Sequence, residues 1–210
     1  MPKEARIPTP TLERLATYLT VLNSLRNTNV ETVSSTDLEG RTGVNAAQFR
    51  KDLSYFGEFG KPGVGYNVRE LHARIGRILK LDRSQPVVIV GAGNLGAALA
   101  GYPPLKAENF EVVAAFDNNP AKIGRELWEL TIKDISTIVE ENSRLGARIG
   151  IIAVPAYAAQ QVAEQLVVAS VVTILNFAPV ILRLPPHIAV RNVDFVQELA
   201  VLSFHLPDEP

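Results

Sequence analysis

Apolar residues recur every three or four positions through the front of the chain. From Thr11 to Arg26 this spacing describes one helical stripe and predicts a first helix: Leu12, Leu15, Ala16, Leu19, Leu22 and Leu25. A second, short helix is predicted after Ser34, because Ser34 and Asp37 have the spacing of a capping pair. Gly43 is expected to end that helix.

A third helix and a glycine-rich loop are predicted next. Asn45 is expected to cap a helix from Ala46 to Phe56, whose buried side carries Phe49, Leu53 and Phe56. The stretch from Phe59 to Tyr66 holds three glycines and a proline in eight residues, which predicts a tight loop or hairpin. Asn67 can then cap a fourth helix with this buried side: Leu71, Ile75, Ile78 and Leu79.

The pattern changes after residues 81–86, which we interpret as a linker. Four short apolar runs have the length of buried strands: residues 87–90, 111–116, 149–154 and 173–176. Helical stretches separate them, for example Ala158 to Ala169. Because buried strands alternate with helices, the pattern predicts an α/β fold with a parallel sheet and helices on both of its faces. The chain shows no internal repeat.

The first predicted strand runs into a glycine-rich loop with the pattern of a dinucleotide-binding motif, Gly91-Ala92-Gly93-Asn94-Leu95-Gly96. Gly91 would allow the tight turn, and Gly93 would let the backbone approach a pyrophosphate. Gly96 would let the helix pack closely on the strand, and the first turn of that helix would present free N–H groups. The alternative is a glycine turn in an α/β domain without a ligand.

Asp117 lies 21 residues after Gly96, at the end of the next strand. A carboxylate at this position suits the adenosine ribose hydroxyls and would repel a 2′-phosphate. Asn118, Asn119 and Pro120 provide no arginine for such a phosphate, although Lys122 is close by. The sequence therefore favours NAD+ and NADH over their phosphorylated counterparts.

Composition narrows the other chemistry. Hydrophobic residues make up 47% of the 210 residues, which supports a packed core. The absence of cysteine excludes disulfides and thiolate zinc sites, and the three histidines (His72, His187 and His205) lack metal-ligand spacing. No signal peptide is apparent, and no apolar run reaches about 18 residues. We therefore expect a cytoplasmic protein with no metal and no membrane association.

Charge is distributed unevenly along the chain. Residues 1–83 carry 13 Lys+Arg and 9 Asp+Glu, a net charge of +4, and the remainder carries 8 and 13, a net charge of −5. Residues 35–56 have the length of a helix-turn-helix, and the polar residues left for its outer faces suit base edges and phosphates: Gln48, Arg50, Lys51, Ser54 and Tyr55. The glycine-rich loop from Phe59 to Tyr66 would then be a wing, with Lys61 at its tip and glycines such as Gly63 allowing close approach. The pattern alone leaves open a small helical domain with a charged face.

A dinucleotide-binding loop such as residues 91–96 is most often found in dehydrogenases, but the sequence offers no convincing catalytic base. His187 and His205 stand in contexts more typical of surface residues, and no second domain of substrate-binding size remains. The sequence therefore favours a role for the nucleotide as a signal over a role as a co-substrate. Three alternatives stay open: a small NAD-dependent oxidoreductase, a coenzyme A-binding module, and an α/β interaction domain that binds no nucleotide.

Several motifs resemble the Rex redox-sensing transcriptional repressors of bacteria, and the resemblance runs from about residue 10 to about residue 205. The most specific is Phe49-Arg50-Lys51-Asp52-Leu53-Ser54-Tyr55-Phe56-Gly57 followed by Gly63-Val64-Gly65-Tyr66, and Asn176-Phe177-Ala178-Pro179 and Asn192-Val193-Asp194-Phe195 also match. The resemblance implies a winged-helix DNA-binding domain at 1–83, a Rossmann-type NAD(H)-binding domain at 84–192, and a dimerisation helix and tail at 193–210. That helix would swap onto the partner of a homodimer.

The resemblance also implies a function and further site residues. Such a repressor binds a palindromic double-stranded operator when NADH is scarce and is released when NADH binds. Arg50 and Lys51 would lie on the recognition helix, and residues 61–66 would form the wing. Pro155, Asn176 and Ala178 would line the nicotinamide end, with Tyr102, Asp194 and Phe195 near the pocket and the subunit interface. Two positions depart from some relatives: Pro62 replaces a basic wing residue, and Thr20 replaces an arginine that can pair with the aspartate matching Asp194.

Overall fold

The computed structural model describes residues 7–60 and 63–207. The wing positions Lys61 and Pro62 therefore lie outside the described residues. Contacts divide the chain into two compact units, residues 1–83 and residues 84–210, called here the N-terminal and the C-terminal unit. Within the described ranges, no helix is both long and apolar enough to cross a bilayer.

The N-terminal unit is helical with one short ladder. Its elements are α1 (Thr9–Asn27), β1 (Thr32–Val33), α2 (Ser35–Thr42), α3 (Ala46–Ser54), β2 (Tyr66–Asn67) and α4 (Val68–Ile78). β1 and β2 pair antiparallel, so the segment that follows α3 returns to the segment that precedes α2. The four predicted helices are thus confirmed, and α3 ends two residues before the predicted Phe56.

The helix ends follow from the capping residues that the sequence indicated. Ser34 and Asp37 form a reciprocal capping box at the start of α2, and Gly43 ends it at a φ of 69°. The side chains of Asn45 and Asn67 accept backbone N–H groups at the starts of α3 and α4. These local signals fix where α2, α3 and α4 begin, independently of what the helices pack against.

Aromatic rings tie α1, α3 and β2 together in the core of the N-terminal unit. Phe49 on α3 is fully buried, and its ring lies edge-on to Tyr18 at 4.8 Å and to Tyr66 at 5.3 Å between centroids. The remaining core is aliphatic and comes from all four helices, for example Leu15, Leu38 and Ile75. The inward side of α3 is therefore held in place from two directions.

The C-terminal unit is a seven-stranded sheet. Its elements are β3 (Gln85–Val90), α5 (Asn94–Ala100), α6 (Pro103–Ala107), β4 (Phe110–Asp117), β5 (Glu126–Leu127), β6 (Leu130–Asp134), α7 (Ile138–Leu145), β7 (Ile149–Ile152), α8 (Ala156–Val168), β8 (Thr173–Asn176), β9 (Ala189–Asn192) and α9 (Phe195–Ser203). The strand order is β5-β6-β4-β3-β7-β8-β9, and all pairs are parallel except β5 with β6. Alternate residues of β3 enter different hydrophobic clusters, Val88 and Val90 in one and Val87 and Ile89 in the other, as expected of a sheet covered on both faces.

The predicted parallel sheet is confirmed, but the strands at and near its edges were not predicted. The edge strands β5 and β9, and β6 next to β5, were missed because they are partly exposed and contain charged residues, such as Lys133 and Arg191, instead of an apolar run. The interpretation of residues 81–86 as a linker was wrong at its end, because Gln85 and Pro86 begin β3. Pro86 lies at the start of the strand, close to the register shift between Val87 and Val88, where a proline is more readily tolerated than in a regular central ladder.

Candidate functional site

A cleft opens where β3, β4 and β7 end at their carboxyl termini. It has a volume of about 560 Å³, and its lining includes Gly91, Gly93, Asp117, Lys122, Pro155 and Gln161. β3 is the centre of the sheet, with β4 on one side of it and β7 on the other, so the strand order reverses here. The crevice outside the carboxyl ends of parallel strands at such a point is the usual ligand site of an open α/β sheet.

The three glycines of the loop differ in the space around their Cβ positions. Gly91 has a φ of +103°, and a Cβ there would lie 2.4 Å from the carbonyl oxygen of Ala153. A Cβ on Gly96 would lie 1.8 Å from the carbonyl oxygen of Gly91, so only glycine lets α5 pack on the loop. A Cβ on Gly93 would meet no protein atom within 4 Å. The chain itself therefore gives no steric reason for glycine at position 93, whereas a ligand lying on the loop would.

The other loop residues surround this open position. The N–H of Ala92 donates to the Asp117 side chain, and Asn94 and Leu95 form the first turn of α5, with Asn94 exposed. The first turn of a helix leaves backbone N–H groups without intrahelical partners. The loop thus combines open space with hydrogen-bond donors, which fits the pyrophosphate of a dinucleotide.

Asp117 is the last residue of β4 and is only 7% exposed. Its carboxylate accepts hydrogen bonds from the N–H groups of Ala92 and Asn119, both at 2.9 Å, and from the ammonium group of Lys122, also at 2.9 Å. Burial by itself would raise the pKa of this carboxyl, but the hydrogen bonds from Lys122 and the two backbone groups hold the pKa below its ordinary value. Asp117 is therefore an anion at neutral pH.

The other predicted cofactor residues lie in two places. Pro155, at the start of α8, lines the cleft beside the glycine loop. Asn176, Ala178 and Phe195 are outside that lining, at the end of β8 and on α9. The Phe195 ring packs against Phe177, with 6.1 Å between ring centroids.

Asn176 is fully buried, and its polar atoms are engaged within the chain. Its amide nitrogen donates to the carbonyl oxygens of Ala178 and Val180 and to the side chain of Asn192, and its amide oxygen accepts the N–H of Ala178. These bonds fold the turn after β8 and join β8 to β9. The contacts suit a residue that shapes the turn, with Ala178 and Phe177 on it.

Tyr102 lines a different depression, with a volume of about 300 Å³, on the side of α5, α6 and β4. Trp128 forms its other wall and donates its indole N–H to the carbonyl oxygen of Ala97 at 2.8 Å. A Cβ on Gly101 would lie 2.0 Å from the Trp128 ring, so the indole packs directly on the backbone next to Tyr102. Tyr102 itself is 53% exposed.

Helix α9 has no buried residue. Asp194 caps it by accepting the N–H groups of Val196 and Gln197 at 2.9 and 3.2 Å. Large apolar side chains are exposed along the helix and just beyond it: Phe195, Val196, Leu199, Val201, Leu202, Phe204 and Leu206. A helix this short owes its stability mainly to packing, and within its own chain α9 has little to pack on.

In the N-terminal unit, a buried carboxylate holds the inner side of α3. Asp52 is fully buried and receives a two-pronged contact from Arg14 on α1, with both nitrogen–oxygen distances 2.6 Å. Tyr18 donates to the same carboxylate at 2.8 Å, Thr11 at 3.2 Å and Gln48 at 2.8 Å. These residues, Asp52 with Arg14, Tyr18, Thr11 and Gln48, are called the Asp52 clamp below.

The protonation of the clamp follows from this geometry. Burial would raise the pKa of Asp52, but the bonds from Arg14, Tyr18 and Gln48 hold it below its ordinary value. The hydrogen bond to Asp52 raises the pKa of Arg14, and burial together with that same carboxylate raises the pKa of Tyr18. The clamp is therefore a charged pair with a neutral phenol, and it orients α3 on α1.

The outer side of α3 carries most of the predicted DNA-facing residues. Arg50, Lys51 and Ser54 are exposed at positions i, i+1 and i+4, and Tyr55 follows them at 41% exposure. Arg50 donates to the hydroxyl of Ser35 at 2.7 Å, and the Ser54 hydroxyl donates to the backbone of Lys51. Gln48 is the exception, since its amide belongs to the Asp52 clamp.

The base of the predicted wing packs on α4. The Arg74 guanidinium lies 3.8 Å from the centre of the Phe59 ring and donates to the carbonyl oxygen of Glu58. Gly63 has a φ of +78° and open space around its Cβ position. Lys61, the predicted wing tip, lies outside the described residues.

Two polar clusters of the structure were not predicted from the sequence. The Asp52 clamp had a signal, because an acid at position 52 interrupts the buried stripe Phe49, Leu53 and Phe56, and Arg14 and Tyr18 are four residues apart on α1. The only sequence signal for the ion pair between Lys122 and Asp117 was that the two residues are close together in the chain. In residues 7–60 and 63–207, no group of three or more His, Asp or Glu side chains could hold a metal ion.

The chain is similar to known proteins along nearly its whole length. Residues 6–54 match the family model described as "Putative DNA-binding protein N-terminus", and residues 82–180 match the one described as "CoA binding domain". The chain is 45% identical over 204 residues to the redox-sensing transcriptional repressor Rex of Pelotomaculum thermopropionicum, with 97% of this chain and 96% of that protein covered. It is 46% identical over 207 residues to Rex of Carboxydothermus hydrogenoformans, with 97% and 98% covered.

Solved structures of a Rex-family repressor, RSP, have the same fold. The complex of RSP with β-NAD+ and operator DNA is 35% identical, with a TM-score of 0.90 over 94% of this chain and 91% of that one. The complex of RSP with β-NADH is 34% identical, with a TM-score of 0.87 over 95% and 94%.

Proposed function

Because this chain belongs to the Rex family of redox-sensing transcriptional repressors, we propose that it represses transcription by binding operator DNA and releases that DNA when its cleft takes up NADH. The chain is similar to relatives of this name along nearly their whole length. RSP has been crystallised in one complex with NADH and in another with NAD+ and operator DNA. The observation that carries the proposal is the pairing, in one chain, of an exposed basic helix with a dinucleotide cleft.

The cleft fits the adenosine and pyrophosphate part of the dinucleotide. Gly93 leaves room on the loop, and Asp117 is an anion at the cleft edge, where it can accept ribose hydroxyls. Pro155 lines the next part of the cleft. Ala178 and Phe195 are proposed to contact the nicotinamide from the end of β8 and from α9, with Asn176 acting by holding the turn.

We propose that the nucleotide is a signal and that the protein is not an enzyme. Neither His187 nor His205 lines the cleft. The rival oxidoreductase would change the absorbance of NADH when a substrate is supplied. The rival coenzyme A-binding module has the family-model match over residues 82–180 in its favour, and it predicts that coenzyme A displaces NADH.

The DNA surface is proposed to be the outer side of α3 with the wing. Arg50 and Lys51 offer a guanidinium and an ammonium for base edges and phosphates, and Ser54 and Tyr55 continue that side. Gln48 contributes indirectly, through the Asp52 clamp. Lys61 and Gly63 would contact DNA from the wing. A repressor of this kind acts where the chromosome is, so we place it in the cytoplasm.

A homodimer with a swapped α9 accounts for the exposed apolar helix. No residue of α9 is buried within its own chain, and such an exposed apolar surface is typical of an obligate interface. In this proposal residues 1–83 bind DNA, residues 84–192 bind the dinucleotide, and residues 193–210 hold the two subunits together. Tyr102 and Asp194 are proposed to lie at that interface.

Release of DNA requires that the protein bind NADH more tightly in the state that does not bind DNA. By linkage, operator DNA must weaken NADH binding by the same factor. The test is a gel shift with a DNA site selected from a random library, titrated with NADH and with NAD+ at fixed salt. Equal DNA affinity with and without saturating NADH would contradict the proposal, and displacement by coenzyme A alone would favour the rival.

A substitution at Lys51 tests DNA binding separately from NADH binding. Lys51→Ala removes an exposed charge from α3, and the expected result is weaker DNA binding, a salt dependence reduced by about one phosphate contact, and intact NADH affinity. Lys106→Ala, an equal loss of charge on α6, is the matched control and should leave DNA binding unaltered. A loss of both activities in Lys51→Ala would place the DNA surface elsewhere.

A further inference from the structure

The ribose end of the cleft contains an ion pair, not a lone carboxylate. The ammonium of Lys122 lies 2.9 Å from the Asp117 carboxylate, and both residues line the cleft. Resting on the dinucleotide cleft proposed above, we infer that Lys122 sets the discrimination between NAD(H) and its 2′-phosphorylated counterpart NADP(H). The ammonium charge of Lys122 offsets the negative charge of Asp117. The same ammonium becomes a ligand for a 2′-phosphate once the carboxylate charge is removed.

The three donors on Asp117 differ in how freely they can move. The N–H groups of Ala92 and Asn119 belong to the backbone of the glycine loop and of the turn after β4. Lys122 is a long side chain that reaches the same carboxylate from that turn. A carboxylate has about four lone-pair sites. The fixed donors therefore keep Asp117 in position, while Lys122 can change partner without disturbing the strand or the loop.

The two partners of the ion pair differ in their exposure to solvent. The Lys122 side chain is 35% exposed, whereas that of Asp117 is 8% exposed. Lys122 is thus the more exposed partner of the pair, and both residues line the cleft that the nucleotide is proposed to occupy. Asn118 and Asn119, which also line this end, are uncharged. A phosphate at the ribose 2′ position would meet one anion and one cation.

This pairing alters the expectation drawn from the sequence. Asp117 alone would reject a 2′-phosphate by repulsion, but the paired lysine offsets much of that charge. Preference for NAD(H) then rests on the hydrogen bonds that the carboxylate offers to the ribose hydroxyls. If the carboxylate becomes an amide, the repulsion and the ion pair disappear together. The Lys122 cation is then free to pair with the phosphate, as basic residues do in NADP-binding sites.

The experiment is a four-way comparison by isothermal titration calorimetry with the full chain. Wild type, Asp117→Asn, Lys122→Ala and the double variant are titrated with NADH and NADPH, and with 5′-AMP and adenosine 2′,5′-bisphosphate (2′,5′-ADP), which differ only in the 2′-phosphate. We expect Asp117→Asn to bind NADPH and 2′,5′-ADP at least tenfold more tightly than wild type. The double variant should lose that gain. Lys122→Ala alone should increase the ratio of the NADPH to the NADH dissociation constant.

Each outcome decides one of the two proposals. If wild type binds NADH and Asp117→Asn gains no affinity for NADPH, or if the gain survives in the double variant, the role of Lys122 is overturned. If wild type binds neither NADH nor 5′-AMP, the dinucleotide cleft itself is wrong. Lys106→Ala, which lies outside the cleft, controls for net charge. Asp117→Ser provides a second variant if the amide at position 117 lowers the melting temperature.

Discussion

Asp52 and Asp117 are both buried anions, one in each unit, yet their surroundings give them different uses. Asp52 accepts hydrogen bonds from Thr11, Tyr18 and Gln48 and two from Arg14, which exceeds the about four sites of a carboxylate. Asp117 accepts three, from Ala92, Asn119 and Lys122, and borders a cleft. A carboxylate saturated by its own chain stabilises a packing arrangement, whereas one with acceptor capacity left at a cleft can bind a ligand.

The donors differ in kind as well as in number. The donors of Asp52 are side chains, and three of them belong to α1, so the bonds join two helices. Two of the donors of Asp117 are backbone groups that follow directly from the strand end and the glycine loop. Loss of Asp52 contacts should therefore affect folding, and loss of Asp117 should affect binding. Four predictions test this contrast, beginning with the largest effect.

Arg14→Ala should cause the largest loss of stability. The change leaves the fully buried Asp52 charge without its two-pronged partner, and breaking a buried pair in this way costs about 3 kcal/mol or more. The measurement is urea unfolding of the full chain, followed by circular dichroism at pH 7. Arg144→Ala is the matched control, because its pair with Glu140 is exposed on both sides and should contribute little. Equal losses in the two variants would mean that the Asp52 clamp is not structural.

Asp117→Ala should weaken NADH binding by about 2 kcal/mol, roughly 30-fold, because charge-assisted hydrogen bonds to the ribose are lost. Calorimetric titration measures the affinity. Asp52→Asn serves as the cross-control, since it alters a carboxylate that is also buried, in the other unit. If Asp52→Asn lowered NADH affinity as much as Asp117→Ala, the division between a structural and a binding carboxylate would fail.

Gly93→Ala should weaken NADH binding by about tenfold, or about 1.4 kcal/mol, without lowering the melting temperature. Its added methyl group meets no protein atom within 4 Å, so any cost must come from the ligand. Gly96→Ala is the contrasting variant, because its methyl group would lie 1.8 Å from the carbonyl oxygen of Gly91 and should destabilise the unit. Unchanged NADH affinity in Gly93→Ala would place the pyrophosphate away from this loop.

The smallest effect should be the pH dependence of stability. Both carboxyls have a folded-state pKa below the ordinary 3.8, so the folded chain binds fewer protons than the unfolded chain in this range. Their contribution is complete above that ordinary value and is lost as the pH falls through the folded-state pKa. Asp52→Asn should therefore flatten the acid limb of a urea-unfolding profile below about pH 4. A variant profile parallel to that of wild type would contradict this.

Local signals in the sequence predicted much of the fold. Caps at Ser34, Asn45 and Asn67 and the break at Gly43 depend on neighbouring residues only, and each was found as expected. The central strands were predictable because burial on both faces demands continuous apolar runs. The strands β5, β6 and β9, at the two edges of the sheet and next to one of them, were not predicted, because partly exposed strands tolerate charge. The pairing of β6 with β4 and of β9 with β8 also depends on residues more distant in sequence.

The sequence by itself determined the glycine loop, the acid after the next strand and the basic helix, since each is a short pattern whose chemistry depends on residue type and spacing. Only the tertiary structure decided how their polar groups are occupied. It assigned Gln48 to the Asp52 clamp, engaged Asn176 in its own turn and paired Lys122 with Asp117. A residue type states which hydrogen bonds a side chain can make. Which of them remain for a ligand depends on groups that only folding brings within 3 Å.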